Sequence, residues 1–326
     1  HRCLGVMLGT LMLTGSIYAR EQYDVKVETN VAMKTRDGIT LRADIYRPEA
    51  PGKFPVILQR TPYDKRNDVA TGLRFAANGF VFVDQDVRGR NASEGDWYPF
   101  KYESQDGYDA VEWAAELPYS DGKVGLFGGS YVGATQMLAA ISSPPHLVGI
   151  MPFVTATDYY EDWAYQGGAF QQLLAQAWSS ALALDGLTRR AAPTALATHW
   201  NLMDPPVDYR VLNPGKGSAG LANYYFDWID HPTDDEYWKQ WSIQRNFNKI
   251  QVPALVIGGW YDLFQDGSLR TYMGIKSEGG SETARNQTRL VMLVGMPAGG
   301  TQTIGDIDFG KKSVPDIPGL AILWSP

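Results

Sequence analysis

Residues 124–133 read Val124-Gly125-Leu126-Phe127-Gly128-Gly129-Ser130-Tyr131-Val132-Gly133, a short apolar run followed by two glycines, a serine and residues that can begin a helix. The pattern predicts a strand, a sharp turn and a helix, with the Ser130 hydroxyl exposed at the turn as a nucleophile would be. In the usual Gly-x-Ser-x-Gly elbow, Gly128 is the first glycine, but Val132 stands where the second belongs and Gly133 follows one place late. A glycine-rich turn that merely contains a serine therefore stays an alternative on this stretch alone.

The composition favours a globular protein without a nucleic-acid partner. At 326 residues the chain can form one large α/β domain with an insertion, or two domains. The formal net charge is −7 with 20% charged residues, so no basic surface indicates a nucleic-acid partner. Ten tryptophans and eighteen tyrosines fit either an aromatic-lined pocket or a large core.

The first residues have the pattern of a targeting segment. Arg2 precedes an apolar run from Leu4 to Tyr18, and Ala19 is a small residue before polar sequence. We predict a signal peptide over residues 1–19 and a secreted or periplasmic protein that is not membrane-bound once the signal is removed; an N-terminal anchor helix is the alternative. The one cysteine, Cys3, lies in this segment, so the mature chain offers no disulfide and no thiol nucleophile.

Strands and helices alternate over residues 20–151. Polar and apolar residues alternate from Asp24 to Arg47 around an Asp-Gly turn, which predicts an antiparallel hairpin or meander. Apolar strands are predicted at Phe54–Leu58 and Phe80–Asp84, with helices near Val69–Asn78 and Ser104–Leu117. This rhythm predicts the first part of a mostly parallel α/β sheet.

The rhythm changes between residues 152 and 250, where apolar residues recur at helical spacing and strand-sized runs are missing. We predict a helical cap inserted there, followed by the second part of the α/β core over residues 251–326. A pocket is expected where a cap meets the carboxyl edge of the sheet. The aromatic residues predicted to line it are Trp163, Phe170, Trp178 and Trp260.

A serine nucleophile also needs a base and an acid that orients the base. Asp262 follows the apolar strand Val252–Ile257 and comes after Ser130 in the chain, as the acid does in α/β-hydrolases. The alternative is an acidic residue that caps the next helix, but Asp266 suits that position better. We therefore predict Asp262 as the orienting acid.

Several motifs together resemble the cocaine esterase-like serine hydrolases, a family that includes α-amino-acid ester hydrolases, glutaryl acylases and relatives of X-prolyl dipeptidyl aminopeptidases. The resemblance extends from Val25 to Gly310. It rests on Arg36-Asp37-Gly38-Ile39-Thr40-Leu41, Asp44-Ile45-Tyr46-Arg47-Pro48, Arg60-Thr61-Pro62-Tyr63, Asp86-Val87-Arg88-Gly89, Gly128-Gly129-Ser130-Tyr131-Val132-Gly133, His231-Pro232-Thr233 with Tyr237-Trp238, and Gly259-Trp260-Tyr261-Asp262. In this family the elbow glycine does come three places after the serine.

The resemblance implies an α/β-hydrolase fold with a helical cap and assigns roles to four residues. Ser130 would be the nucleophile and Asp262 the acid. The Tyr63 hydroxyl and the Tyr131 backbone N–H would form the oxyanion hole, because fixed donors aimed at developing negative charge stabilise the transition state. Family members continue into a C-terminal β-sandwich, which we expect to be absent from this chain.

One departure concerns the base. The family places its histidine after the last strand, in a Gly-Pro-Trp-x-His type segment, whereas residues 295–300 here read Gly-Met-Pro-Ala-Gly-Gly. The four histidines, His1, His146, His199 and His231, lie elsewhere, and none is expected to serve as the base because none follows a sheet strand in the required order. A local sequence error or lesion in this segment is our hypothesis.

These observations predict a serine hydrolase that cleaves a carboxylic ester or acyl amide through an acyl-enzyme on Ser130. X-prolyl dipeptidyl peptidase activity and a catalytically inactive chain are the alternatives. Leu263, Phe264 and Gln265 follow Asp262, where α-amino-acid ester hydrolases carry acidic residues, so that selectivity is not expected. The histidines are scattered without metal-binding spacing, and no metal or cofactor is predicted.

Overall fold

The structure is a computed structural model that describes residues 22–189, 222–295 and 302–324. The predicted signal peptide, residues 1–19, and the segment 296–300 lie outside the described residues. At the start of the described chain, strands β1 (Val25–Lys34) and β2 (Thr40–Pro48) form the predicted antiparallel hairpin. Its turn contains Gly38 at φ 88°, a left-handed conformation that favours glycine.

Eight strands form one twisted sheet. Beyond the hairpin its strands are β3 (Phe54–Thr61), β4 (Val81–Asp86), β5 (Ser120–Gly129), β6 (Leu147–Phe153), β9 (Leu255–Gly259) and β10 (Arg289–Leu293). The strand order is β1-β2-β4-β3-β5-β6-β9-β10. The pairs from β4 to β10 are parallel, and those of β1 with β2 and β2 with β4 are antiparallel. The carboxyl ends of six strands therefore meet along one edge, where an α/β fold places its site.

Helices cover the sheet and the region beyond its carboxyl edge. They are α1 (Val69–Ala77), α2 (Glu103–Ala115), α3 (Tyr131–Ile141), α4 (Gln172–Arg189), α5 (Asn223–Asp230), α6 (Glu236–Lys239), α7 (Gln265–Glu278), α8 (Glu282–Gln287) and α9 (Ile317–Trp324). Two small hairpins lie outside the main sheet: β7 (Tyr165–Gln166) with β8 (Ala169–Phe170), and β11 (Thr303–Ile304) with β12 (Ile307–Asp308).

Both faces of the parallel part of the sheet are buried. One face packs against α2 and α3, and the other against α1 and α9. On the second face the rings of Phe75 and Phe82 stack with centroids 5.3 Å apart, and Phe127 meets Phe75 edge-on. This two-sided burial explains why β3, β4 and β5 contain near-continuous apolar runs rather than an alternating pattern.

The segment between β6 and β9 provides the predicted helical layer. Its described part contains α4, α5 and α6, with the two-residue strands β7 and β8 as its only strands. Aromatic rings join this layer to the core, as where Phe100 stacks on Tyr159 with centroids 3.8 Å apart. The Tyr98 hydroxyl adds a polar link, since it donates to Asp227 Oδ2 at 2.7 Å and lies 2.6 Å from the Tyr237 hydroxyl.

Candidate active site

The turn between β5 and α3 holds Ser130 in a strained conformation. Ser130 has φ 57° and ψ −128°, which a residue with a Cβ adopts only when its surroundings impose it. Its N–H donates to the Phe153 carbonyl at 2.9 Å. Gly128 before it has φ 137°, and a Cβ there would lie 2.2 Å from Val132 Cγ1. The sequence thus folds locally into the predicted strand, sharp turn and helix, with the serine side chain partly exposed at the turn.

The late glycine of the elbow has a packing reason. A Cβ on Gly133 would lie 2.8 Å from Thr155 Cβ, so the first turn of α3 passes close to the segment that follows β6. Val132, which occupies the usual glycine position, instead faces Gly128 and the cleft beside Ser130. The position that must be glycine is therefore three residues after the serine, where α3 contacts Thr155, rather than two residues after it.

Tyr63 lies beside the elbow, in the loop after β3. Its hydroxyl accepts a hydrogen bond from Trp178 Nε1 at 3.0 Å. Burial raises the pKa of the Tyr63 phenol, while the Ser130 hydroxyl, the Trp178 indole and the Tyr131 backbone N–H, which face the same oxygen, each lower that pKa. The structure therefore brings together the three groups that the resemblance assigned to the nucleophile and the oxyanion hole.

The Tyr131 side chain is fixed by a buried charge pair that the sequence did not single out. The Tyr131 hydroxyl donates to Glu103 Oε1 at 2.9 Å and accepts from the Phe100 N–H at 2.8 Å. Glu103 in turn pairs with Arg60 at 2.8 Å. Burial raises the pKa of the Glu103 carboxyl, and the nearby Arg60 charge opposes that rise. These contacts hold the first residue of α3, whose N–H faces the phenol of Tyr63.

Asp262 is placed at the carboxyl edge of the sheet, in the turn after β9. The side chain is 8% exposed, and its Oδ1 accepts from the Phe264 N–H at 2.5 Å. Burial raises the pKa of this carboxyl. A Cβ on Gly259 would lie 2.2 Å from the Gly295 carbonyl and 3.3 Å from Asp262 Cβ. The start of the segment that follows β10, in which the resemblance places the histidine, therefore lies next to Asp262.

The histidines of the described residues are engaged elsewhere. His146 Nδ1 lies 2.7 Å from Glu112 Oε2. His231 Nδ1 lies 2.6 Å from Asp235 Oδ2, and its ring stacks on Tyr237. His199 lies outside the described residues. Within residues 22–189, 222–295 and 302–324, no imidazole is hydrogen-bonded to Ser130 or Asp262.

The four aromatic residues predicted to line a pocket occupy different places. Trp178 contacts the Tyr63 hydroxyl directly. Trp163 is 1% exposed and stacks on Phe264, so it lies within the aromatic core. Phe170 lines a separate cavity of about 290 Å³ in the helical layer, and Trp260 is 54% exposed.

A cleft of about 510 Å³ opens beside Ser130. Its other walls are Gln59, Thr61, Tyr63, Asp68, Thr71, Phe127, Gly129, Val132, Phe153, Val154, Pro315, Asp316, Ile317 and Pro318. The mixture of apolar rings and a few polar groups suits a small organic ligand. None of the four predicted aromatic residues lines this cleft, whose aromatic walls are Tyr63, Phe127 and Phe153 instead.

Two carboxylates near the sheet edge, Asp44 and Asp86, are held by contacts with Lys65 rather than grouped as metal ligands. Lys65 Nζ lies 3.1 Å from Asp44 Oδ1, and the Lys65 N–H donates to Asp86 Oδ1 at 2.9 Å. Among the described residues, no three histidine, cysteine, aspartate or glutamate side chains are grouped so as to hold a metal ion. No described helix has the length and apolar character needed to cross a bilayer.

Comparison with known proteins agrees with this fold. Residues 37–295 match the family of the X-Pro dipeptidyl-peptidase (S15 family). The match covers more than half of the chain, and the chain therefore belongs to this family of hydrolases.

Particular relatives define the similarity further. The chain is 35% identical over 272 residues to the cocaine esterase of Rhodococcus sp. (strain MB1 Bresler), which covers 77% of this chain and 46% of that protein. A CocE/NonD family hydrolase from Staphylococcus aureus has a similar structure, with a TM-score of 0.61 and 25% identity over 82% of this chain and 46% of its own. An α-amino acid ester hydrolase shares the fold, with a TM-score of 0.68 and 20% identity over 95% and 55% of the two chains. The chain thus spans about half the length of these relatives.

Proposed function

We propose that this chain is a serine hydrolase that cleaves a carboxylic ester or an acyl amide through an acyl-enzyme on Ser130. The observation that carries the proposal is that the Tyr63 hydroxyl and the Tyr131 N–H lie together beside the Ser130 hydroxyl on its strained turn. Two such donors would stabilise the negative charge that develops on a carbonyl oxygen under attack.

The proposed reaction uses these residues in two steps. Ser130 Oγ attacks the carbonyl carbon, its proton passes to a base, and the carbonyl oxygen becomes an oxyanion that Tyr63 and Tyr131 would bind. The oxyanion then re-forms the carbonyl, and the alcohol or amine leaves with a proton. In the second step water would attack the acyl carbon and lose a proton to the base. The Ser130 oxygen would then leave, take up a proton, and so regenerate the free serine and release the carboxylic acid.

An ester is the first substrate class to test. A relative at 35% identity is named a cocaine esterase, and Leu263, Phe264 and Gln265 after Asp262 supply no carboxylate for a substrate ammonium group. The family's name supports an X-prolyl peptide as the second class. Parallel assays with p-nitrophenyl esters and with dipeptide p-nitroanilides that carry proline next to the leaving group would separate the two.

A fluorophosphonate probe tests the nucleophile directly. Attack by Ser130 Oγ on phosphorus would expel fluoride and leave a stable adduct, which mass spectrometry assigns to the peptide containing Ser130. Ser130→Ala is the matched control and should carry no adduct. Absence of label from the folded wild-type chain, checked by circular dichroism, would contradict the proposal.

A catalytically inactive chain that keeps the pocket is the second candidate. It is favoured by one observation, that the described residues offer Asp262 no imidazole partner. Loss of a triad member typically lowers kcat by several orders of magnitude. Ester turnover no faster than that of Ser130→Ala, in a chain that is not labelled by the probe, would support this candidate over the first.

A further inference from the structure

Helix α4 contacts the Tyr63 loop at two points one turn apart. The first is the hydrogen bond from Trp178 Nε1 to the Tyr63 hydroxyl at 3.0 Å. At the second, Arg90 Nη1 donates to the Leu182 carbonyl of α4 at 2.8 Å while Arg90 Nε donates to the Pro62 carbonyl at 3.0 Å. Arg90 thus bridges α4 to the residue that directly precedes Tyr63.

The Arg90 side chain is buried and contacts several neighbouring groups. It is 7% exposed, and its guanidinium lies 4.9 Å from the ring centroid of Trp97. Asp185 of α4 lies 3.6 Å from Arg90 and accepts the Asn91 N–H at 3.1 Å. A planar guanidinium can donate to two carbonyls at once in a fixed geometry, which an ammonium group does not reproduce.

The Trp178 indole differs from the neighbouring indoles because its N–H has a hydrogen-bond partner, the Tyr63 hydroxyl. The ring of Trp97 packs 5.6 Å from Trp178, and Trp163 packs 5.4 Å away on another side. The Nε1 atoms of Trp97 and Trp163 are buried without a hydrogen-bond partner among the described residues. In this cluster, therefore, the nitrogen aimed at Tyr63 is satisfied while two others are not.

The chemistry of the phenol gives this contact a consequence. A phenol oxygen has one proton and two lone pairs, whereas an indole N–H and a peptide N–H can only donate. Trp178 occupies one lone pair of Tyr63, so the phenol proton points away from the indole, and the Ser130 hydroxyl lies beside the same phenol oxygen. The phenol proton is then left to point toward Ser130, where an oxyanion would form.

We propose that Trp178 is a positioning residue that directs the Tyr63 hydroxyl as a donor toward the oxyanion, and that Arg90 holds α4 in place for this contact. The proposal rests on the proposed hydrolase function and adds that the helical layer is part of the oxyanion hole. Trp178 would then affect the reaction through Tyr63 rather than by contact with the substrate.

The contact itself is tested by NMR of the full chain with ¹⁵N-labelled tryptophan. The Trp178 indole signal is identified by its loss in Trp178→Phe. In Tyr63→Phe this signal should move upfield and exchange faster with solvent, while the Trp97 indole signal should stay near its place. An unmoved Trp178 signal in Tyr63→Phe would overturn the proposal, whatever the activity.

The functional part is tested by the rate constant of fluorophosphonate labelling at Ser130. Trp178→Phe keeps a ring but loses the N–H, and it should slow labelling about tenfold or more. The loss should be smaller than the roughly 10²–10³-fold loss that follows removal of an oxyanion donor itself. Trp228→Phe on α5, the matched control, loses an unpaired N–H beside the Trp178 ring and should label within about twofold of wild type. Arg90→Lys should slow labelling in the same direction as Trp178→Phe, since the ammonium cannot bridge both carbonyls.

A double-variant comparison separates positioning from a general packing effect. If Trp178 acts through Tyr63, the variant with both Tyr63→Phe and Trp178→Phe should label no more slowly than Tyr63→Phe alone. Additive losses would overturn the proposal. Failure of the wild-type chain to label would contradict the hydrolase function alone, and the indole signal would still decide whether Trp178 holds Tyr63.

Discussion

Ser130 has backbone angles that cost of order 1–3 kcal/mol for a residue with a Cβ. We therefore predict that Ser130→Gly has a higher free energy of unfolding than Ser130→Ala, by about 1 kcal/mol, because glycine adopts positive φ without strain. Urea denaturation of the two variants measures the difference. Equal midpoints, or a more stable Ser130→Ala, would show that the turn stores no strain at this residue.

A second prediction at the residue scale concerns the histidine base that residues 295–300 do not contain. Counted from Gly295, the family's Gly-Pro-Trp-x-His pattern ends at Gly299, which lies outside the described residues. Gly295, where that pattern starts, lies close to Gly259 near Asp262. Gly299→His should raise kcat/KM for a p-nitrophenyl ester by about 10²–10⁴-fold, the range for general base catalysis. The activity should increase with pH through an imidazole pKa of about 6.5, because only the neutral ring accepts the Ser130 proton.

Asp262 provides the control for that gain. In the Gly299→His chain, Asp262→Asn should remove most of the added activity, since an orienting carboxylate also stabilises the imidazolium that forms. A gain that survives Asp262→Asn would mean that the introduced histidine works without the predicted acid.

At the scale of elements, the sequence predicted the strands that have a clear apolar pattern. It missed the strand residues that are polar and are held by partners distant in the sequence. The hairpin and the buried strands followed from apolar patterning. The prediction ended β3 at Leu58, but the strand continues to Thr61, because Arg60 is buried against Gln85 and Glu103. The sequence pattern does not indicate a strand at Arg60, because its partners Gln85 and Glu103 are 25 and 43 residues away.

The candidate site divides in the same way. Ser130 and Asp262 could be predicted from their places after apolar strands. Tyr63 was found only through the family resemblance, since a tyrosine after a proline in a loop carries no signal of its own. The contact of Arg90 with Leu182 joins residues 92 positions apart, and no single-sequence pattern indicates it.

Strand β4 yields a pH prediction. Asp84 is fully buried at its centre, one oxygen accepts from Gln59 Nε2 at 3.2 Å, and the other has no partner among the described residues. Burial, strengthened by the nearby Asp68 carboxylate, raises the pKa of Asp84 well above its usual value. The folded state therefore keeps a proton that the unfolded chain loses near pH 4, and stability falls as pH rises toward the folded pKa.

Asp84→Asn should remove this dependence because an amide has no proton to lose. Its stability relative to wild type should increase between about pH 4 and pH 8, with about 1.4 kcal/mol for each unit by which the pKa is raised. Urea denaturation at several pH values measures the trend. Asp24→Asn, at an exposed position, is the control and should run parallel to wild type. A parallel curve for Asp84→Asn would contradict the assignment.

For the molecule as a whole, a patch of apolar side chains beside the candidate site affects solution behaviour. Trp260, Tyr261 and Leu263 surround Asp262 in sequence and are 54%, 57% and 45% exposed, and the ring of Phe309 lies 6.4 Å from that of Tyr261. Ile307 in the same hairpin as Phe309 is 54% exposed. Contiguous apolar surface of this kind promotes association.

We therefore predict that the isolated chain self-associates, and that the pair of substitutions Ile307→Lys and Phe309→Ser shifts it toward monomer, because both change the patch without touching the elbow or Asp262. Light scattering after size-exclusion chromatography, over a range of concentrations, measures the shift. Val27→Lys is the matched control, since Val27 is 42% exposed on β1 at the opposite end of the sheet. If Val27→Lys lowers the mass as much as the paired variant does, net charge rather than the patch governs association. A wild-type chain that stays monomeric at the highest concentration would contradict the prediction itself.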